Sequence, residues 1–289
     1  MSDNRKICIT TDCVCDLPDE MLRDNKIDIV YFYIDTDTGR FRDRSEITAQ
    51  NIFEYLKNGG KKSITGAPPS EEFVELFSKK LENCDEVIHI ATGSLISASV
   101  TNSKAAVEQM GSLGERVHIF DSGHLSTGIG HIVLKAAEMV NNGVNDSRQI
   151  LAELEKMRDK VSSSFMADSA DYLYRNGRIS KAVQIICSMF NVHPVLAMKN
   201  GHLGLKSVQI GNYEKSALRY VRKELKEKNI RTDRIFITHA SCTANDIKLI
   251  RNEVKRIAKF DSVIVTKASA TVSGNSGPRT FGVLYVKDE

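Results

Sequence analysis

Residues 86–107 constrain this chain more than any other stretch, because a strand, a hydroxyl-rich turn and a helix follow one another without a spacer. Val87 to Ala91 has the length of a buried strand. Ile96, Val100, Val107 and Met110 then recur at helical spacing, which predicts an amphipathic helix. Between them Thr92, Gly93, Ser94, Ser97 and Ser99 form a polar turn. Free backbone N–H groups and small hydroxyl donors at such a turn suit an anionic headgroup. Ser94 or Ser97 serving only as the helix cap is the competing reading, and spacing leaves both open.

The same alternation runs through the first half. A strand is predicted over 6–11, with Pro18 placed to open the next helix. A second strand covers Ile27 to Ile34, and a charged turn over 37–44 leads to a helix at Ala49–Lys57. Pro68 and Pro69 make 63–70 a loop, and Ser70 starts a helix running to about Leu81. After a strand over 116–120, Asp121-Ser122 with Ser126 and Gly128 makes a second polar turn. Its helix carries Leu125, Ile129, Val133, Ala136 and Val140 on one face, and Asn145-Asp146-Ser147 starts another. Strand and helix in alternation predict an α/β layer, with a largely parallel sheet and helices on both faces. Ligands in such sheets sit at the carboxyl ends of strands, where these polar turns converge.

The second half differs. Asn200-Gly201 between two strand-like runs is a hairpin signal. Further helices over 213–227 and 244–258 alternate with strands at 234–238 and 262–266, and a polar loop over 273–279 precedes a last strand. At 289 residues the chain exceeds one ordinary core, so two α/β domains are expected, 1–162 and 163–289, the second with a mixed sheet.

Charge and composition narrow the function. A net charge of +3, with basic residues scattered, gives no footprint for nucleic acid. No apolar run is long enough to span a bilayer and the start is no signal peptide, so a cytoplasmic protein with at most transient membrane contact is expected. Six dispersed cysteines predict reduced thiols and no metal site. His89 and His118 fall in strand patterns and read as core residues. A hydrolase could be assembled from Ser97 or Ser122 with His124 or His239 and Asp121, but no G-x-S-x-G elbow supports it. Nucleotide binding at Asn200-Gly201 or 273–277 lacks a Walker lysine.

Seven segments in order resemble the DegV family of bacterial fatty-acid-binding proteins. Ile9-Thr10-Thr11-Asp12-Cys13-Val14-Cys15-Asp16-Leu17-Pro18 is similar to V-T-D-S-T-A-D-L-P, and Thr65-Gly66-Ala67-Pro68-Pro69-Ser70 stands where the family has T-S-Q-P-S. Leu95-Ile96-Ser97-Ala98-Ser99 stands for L-S-G-T, and Asp121-Ser122 with Ser126, Gly128 and Gly130 for D-S-x-x-x-S-x-G-x-G. Tyr172-Leu173-Tyr174-Arg175-Asn176-Gly177-Arg178-Ile179-Ser180 is similar to Y-L-x-x-G-G-R-I-S. His193-Pro194-Val195-Leu196 stands for K-P-I-L, and Gly277-Pro278 lies in the place of H-T-G-P-G.

The resemblance implies a non-catalytic carrier with no cofactor. It would hold a long-chain fatty acid at the domain interface, with the acyl chain in an apolar pocket of the first domain. The carboxylate would be presented to a separate fatty acid kinase. Ser97 matches a headgroup position, and so does Thr65 after a one-residue shift, Gly66 standing there in direct register, whereas Asn275 stands at the family histidine and Arg279 at the final glycine of G-P-G. Asn275 is expected to be a donor of fixed charge, and Arg279 either a replacement cation or a residue pointing to solvent at the loop's rim. Arg175 and Arg178 are expected to brace the interface or face a partner. The alternative is an enzyme, a phosphotransferase or hydrolase acting on a small anion.

Overall fold

The computed structural model describes residues 5–61, 63–177, 179–189, 191–226 and 229–288. The chain opens with β1 (Ile7–Asp12), α1 (Asp19–Asp24), β2 (Asp28–Val30), β3 (Tyr33–Thr36), β4 (Gly39–Arg42) and α2 (Ala49–Lys57). Next come β5 (Ile64–Gly66), α3 (Ser70–Leu81), β6 (Glu86–Ala91), α4 (Ser99–Gln109), β7 (Val117–Asp121), α5 (Thr127–Asn141) and α6 (Ser147–Arg158). The second half holds β8 (Val161–Met166), α7 (Asp171–Arg175), α8 (Lys181–Met189), β9 (Val192–Lys199), β10 (His202–Ile210) and α9 (Tyr213–Glu224). It ends with β11 (Arg234–Ala240), α10 (Ala244–Ile257), β12 (Ser262–Lys267), α11 (Ala270–Ser276) and β13 (Thr280–Val286).

The first domain is built on a four-stranded parallel sheet, β2-β1-β6-β7, as the strand–helix alternation requires. The second carries a six-stranded mixed sheet, β10-β9-β8-β13-β11-β12. Asn200 and Gly201 both take positive φ at the β9–β10 turn, the backbone that a two-residue hairpin needs.

Four expectations are corrected by packing. The strand over Ile27–Ile34 breaks in two: β2 pairs with the parallel sheet, while β3 joins a separate antiparallel trio, β4-β3-β5. The prolines leave room before them for the short edge strand β5. The polar segment over 273–279 is largely helix, because Ser269 caps Val272 N and Pro278 lies just beyond the last turn. Cys8 and Cys84 form a disulfide with Cα atoms 6.0 Å apart, since β1 and β6 are neighbours (Ile7 opposite Glu86), although 76 positions separate them in sequence.

α5 organises the molecule. Ile129, Ile132, Val133, Leu134, Ala136 and Ala137 are all buried, so the helix is apolar on every side rather than on one face. It lies between the two sheets, in one core that contains Ile9, Ile88 and Ile90 of the first domain with Phe236, Leu284 and Val286 of the second. Gly128 permits its close approach to β8, because a Cβ there would lie 2.1 Å from Ser163 Oγ. His131 sits within this helix, and burial drives its pKa down to about 3, so it is a neutral core residue.

Candidate functional site

Asp12 closes β1 as a fully buried carboxylate and organises the turn after β6. It accepts hydrogen bonds from Thr92 N at 2.7 Å, Thr92 Oγ1 at 2.6 Å and Ser99 Oγ at 2.8 Å. His89 Nδ1 meets Thr10 Oγ1 at 3.0 Å, which places the ring beneath the turn. The turn then folds on itself, with Ile96 N and Ser97 N both donating to Gly93 O. A Cβ on Gly93 would stand 3.0 Å from the Gly123 carbonyl carbon, so the two polar turns pack backbone to backbone. Ser97 Oγ accepts from Ser99 N at 3.2 Å just ahead of α4, whose cap position is Ala98.

Two further buried carboxylates tie the domains together. Asp16 accepts from Ser126 Oγ at 2.5 Å and from Ser269 N at 2.8 Å. Asp43 accepts from Ala270 N at 2.9 Å and Thr271 N at 2.8 Å. Negative charge at the start of α11 is favourable to the helix. Burial pushes Asp16 up to about 7, against the lowering effect of Ser126, Ser269 and Arg44, and it raises Asp43 as well. This clamp sets Asn275 opposite Thr65 of β5, with Asn275 Nδ2 3.3 Å from Thr65 Oγ1.

Thr65, Ser97 and Asn275 line one cavity of about 360 Å³, reached by residues of both domains. The remaining wall is mostly apolar, with Val14, Phe32, Leu125, Val272 and Leu284 among its members. The space exists because small side chains of the six-stranded sheet, at Ser163, Thr238, Ala240 and Gly282, border it. Such a volume lies within the range of small-ligand pockets.

The other sequence-derived candidates are dispersed. Ser126 lines the cavity but is committed to Asp16, and Gly128 is packed on Ser163. Ser122 is buried and accepts from His124 N, while Ser94 is exposed beside a second, more polar cleft of about 1130 Å³. Arg279 does not line the cavity. Its guanidinium donates to Asp246 at 2.8 and 3.1 Å and lies 3.9 Å from the Tyr213 ring centroid. Its backbone is left-handed, at φ 54°, a conformation that suits the glycine found there in the resembling pattern. Arg175 is exposed, with its guanidinium 5.7 Å from the Tyr172 ring, and Arg178 lies outside the described residues. His89 is buried, whereas His118 is partly exposed and meets Glu86.

The serines and histidines of the hydrolase reading have other partners: His124 bonds Ser163 Oγ at 3.0 Å and the Arg158 carbonyl at 2.9 Å. His239 Nδ1 accepts from Cys242 N at 3.3 Å. Asp12, Asp16 and Asp43 escaped the sequence reading as functional residues. Asp12 and Asp16 carried a signal, a pair of acids just after an apolar strand, and Asp43 carried none.

Comparison with known proteins gives a consistent picture. A family model described as "Uncharacterised protein, DegV family" matches residues 6–288. A DegV domain-containing protein of Caldanaerobacter subterraneus subsp. tengcongensis is 28% identical over 97% of this chain and 98% of its own length. Protein DegV of Bacillus subtilis is 30% identical over 67% of this chain and 68% of its own. Among solved structures, one described as fatty acid binding of a DegV family protein from Thermus thermophilus superposes with a TM-score of 0.87. It is 26% identical and covers 98% of this chain and 99% of that one.

Proposed function

Since the chain belongs to the DegV family, we propose that it is a non-catalytic carrier that binds a long-chain fatty acid in the cavity between its domains. The observation that carries this reading is the mostly apolar cavity that Thr65, Ser97 and Asn275 all line. The relative from Thermus thermophilus, described as binding fatty acid, supports the same ligand class. Burying about fourteen methylenes at ~0.8 kcal/mol each contributes about 11 kcal/mol before the costs of association. The tail therefore supplies affinity and the polar cluster supplies register.

The rest of the proposal is that the head, held near the exposed turn over 94–98, is handed to a separate fatty acid kinase in the cytoplasm. Among the described residues no helix is long and apolar enough to cross a membrane. Mass spectrometry of an organic extract of the freshly purified protein tests the reading. A stoichiometric single-chain acid is the expected result. A lipid-free extract, together with turnover of an ester or phosphoanhydride by the protein alone, would favour the enzyme alternative.

A further inference from the structure

Hydrogen-bond directions at the polar cluster are fixed by their neighbours. Asn275 Nδ2 donates to Thr271 O at 2.8 Å and to Thr65 Oγ1 at 3.3 Å. A backbone carbonyl only accepts, so the amide nitrogen must face it and the orientation of the amide is decided. Both amide hydrogens are then engaged, and Oδ1, an acceptor, is what Asn275 retains for the cavity. Thr65 Oγ1 accepts from Asn275 and keeps its own proton to donate. Ser97 Oγ accepts from Ser99 N and likewise keeps its proton. Toward the cavity these three side chains leave two donors and one acceptor.

No lysine, arginine or histidine lines this cavity among the described residues. A carboxylate is acceptor-only, so it would face Asn275 Oδ1 unpaired. Its charge would also sit against a mostly apolar wall with no cation lining the cavity, which is costly. We propose that the site takes an uncharged head bearing both an acceptor oxygen and a donor hydrogen, as a protonated carboxyl or a primary carboxamide does. The carbonyl oxygen accepts from Thr65 and Ser97, and the O–H or N–H donates to Asn275 Oδ1. The inference rests on the cavity being the acyl-chain site.

Titratable groups around α11 do not supply the missing charge. Asp16 and Asp43 are spent on its first residues, and Asp12 on the turn that bears Ser97. Facing elements bring Tyr33 and Asp35 on β3, Glu54, Tyr55 and Lys57 on α2, and Arg234 and His239 on β11. α7 adds Asp171, Tyr172, Tyr174 and Arg175. None of these lines the cavity. Asp16 titrates near 7 and holds the wall residue Ser126, so the protein has a pH dependence of its own. Comparing an acid with its amide at each pH cancels that contribution.

The test is calorimetric titration of the delipidated full chain with dodecanoic acid and dodecanamide between pH 6 and 8. The ratio of acid to amide affinity should fall about tenfold per pH unit, because only the protonated acid fits. Tighter amide binding at every pH assigns the carboxamide as the head, and equal affinities at pH 6 assign the protonated acid. A ratio that stays flat, or an acid that matches the amide at pH 8, overturns the proposal. If neither compound binds, the acyl-site reading itself has failed. Asn275→His returns a donor and should raise the acid-to-amide ratio at pH 8 at least tenfold. An unchanged ratio in that folded variant would overturn the role of Asn275, and the wild-type ratio decides alone if it does not fold.

Discussion

Ser97 and Arg279 show how differently two residues from one motif-level reading can end up. Ser97 lines the cavity with a proton free to donate, so Ser97→Ala should weaken ligand binding while costing stability only through the lost bond from Ser99 N. The loss should be about 0.5–1.5 kcal/mol for a neutral head and about 1.5–3 kcal/mol for a charged one, so its size also reports on the head's charge. A fluorescent fatty-acid titration with an unchanged dissociation constant would remove Ser97 from the site. Arg279 should behave in the opposite way. Burial raises the Asp246 carboxyl, but the bonds from Arg279 and Thr243 hold it below the usual range, and Asp246 also completes the capping box of α10. Arg279→Ala should cost about 1–3 kcal/mol of stability while sparing ligand affinity. A weakened titration at unchanged melting temperature would reverse that assignment.

Among the elements, the start of α11 and the seat of α5 carry the consequences. Asp16 has a folded pKa raised to about 7, above its ordinary value of 3.8. The folded state therefore holds this proton more tightly than the unfolded chain does. The stabilisation is fully present below about pH 4 and is lost as pH rises through about 7, at up to ~1.4 kcal/mol per pH unit. Asp16→Asn removes this dependence, and asparagine tolerates the left-handed backbone at φ 54°. Melting curves from pH 4.5 to 8 should show the wild type losing stability relative to the variant as pH rises; parallel curves would mean that Asp16 does not titrate there. α5 depends on Gly128, whose added Cβ would press on Ser163 and the His124 side chain. Gly128→Ala should destabilise by about 1–3 kcal/mol. Urea denaturation checks this, and a midpoint within error of the wild type would show that α5 can shift.

For the whole molecule, α5 shared between two sheets makes the domains one packed body with the cavity at their junction. The exposed Arg175 lies on α7 and does not line the cavity. Fixed positive charge on such a surface acts on encounter with an acidic partner and little on the buried ligand. Arg175→Glu should slow acyl-phosphate production by the protein with a cognate kinase, most at low salt, and leave fatty-acid affinity intact. Equal production by both proteins would clear Arg175 of that role.

Local chemistry determined a good deal of this protein. Strand–helix alternation through the first half specifies a parallel sheet, because apolar runs of that length have to be buried on both faces. Asn200-Gly201 specifies its hairpin through two left-handed positions, and Thr65, Ser97 and Asn275 were legible from the order of short motifs. Tertiary structure decided what depends on neighbours distant in sequence. Asp43 lies 227 residues from Ala270, yet it helps to hold as helix a segment whose glycine, asparagine and serines read as loop. The break of the second strand into β2 and β3 needed two different sheets to pair with. Arg279 turned to Asp246, and Cys8 met Cys84, through contacts that no spacing announces. The amide hydrogens of Asn275 are claimed by the Thr271 carbonyl and the Thr65 hydroxyl, and hydrogen-bond direction is a property of the assembled site.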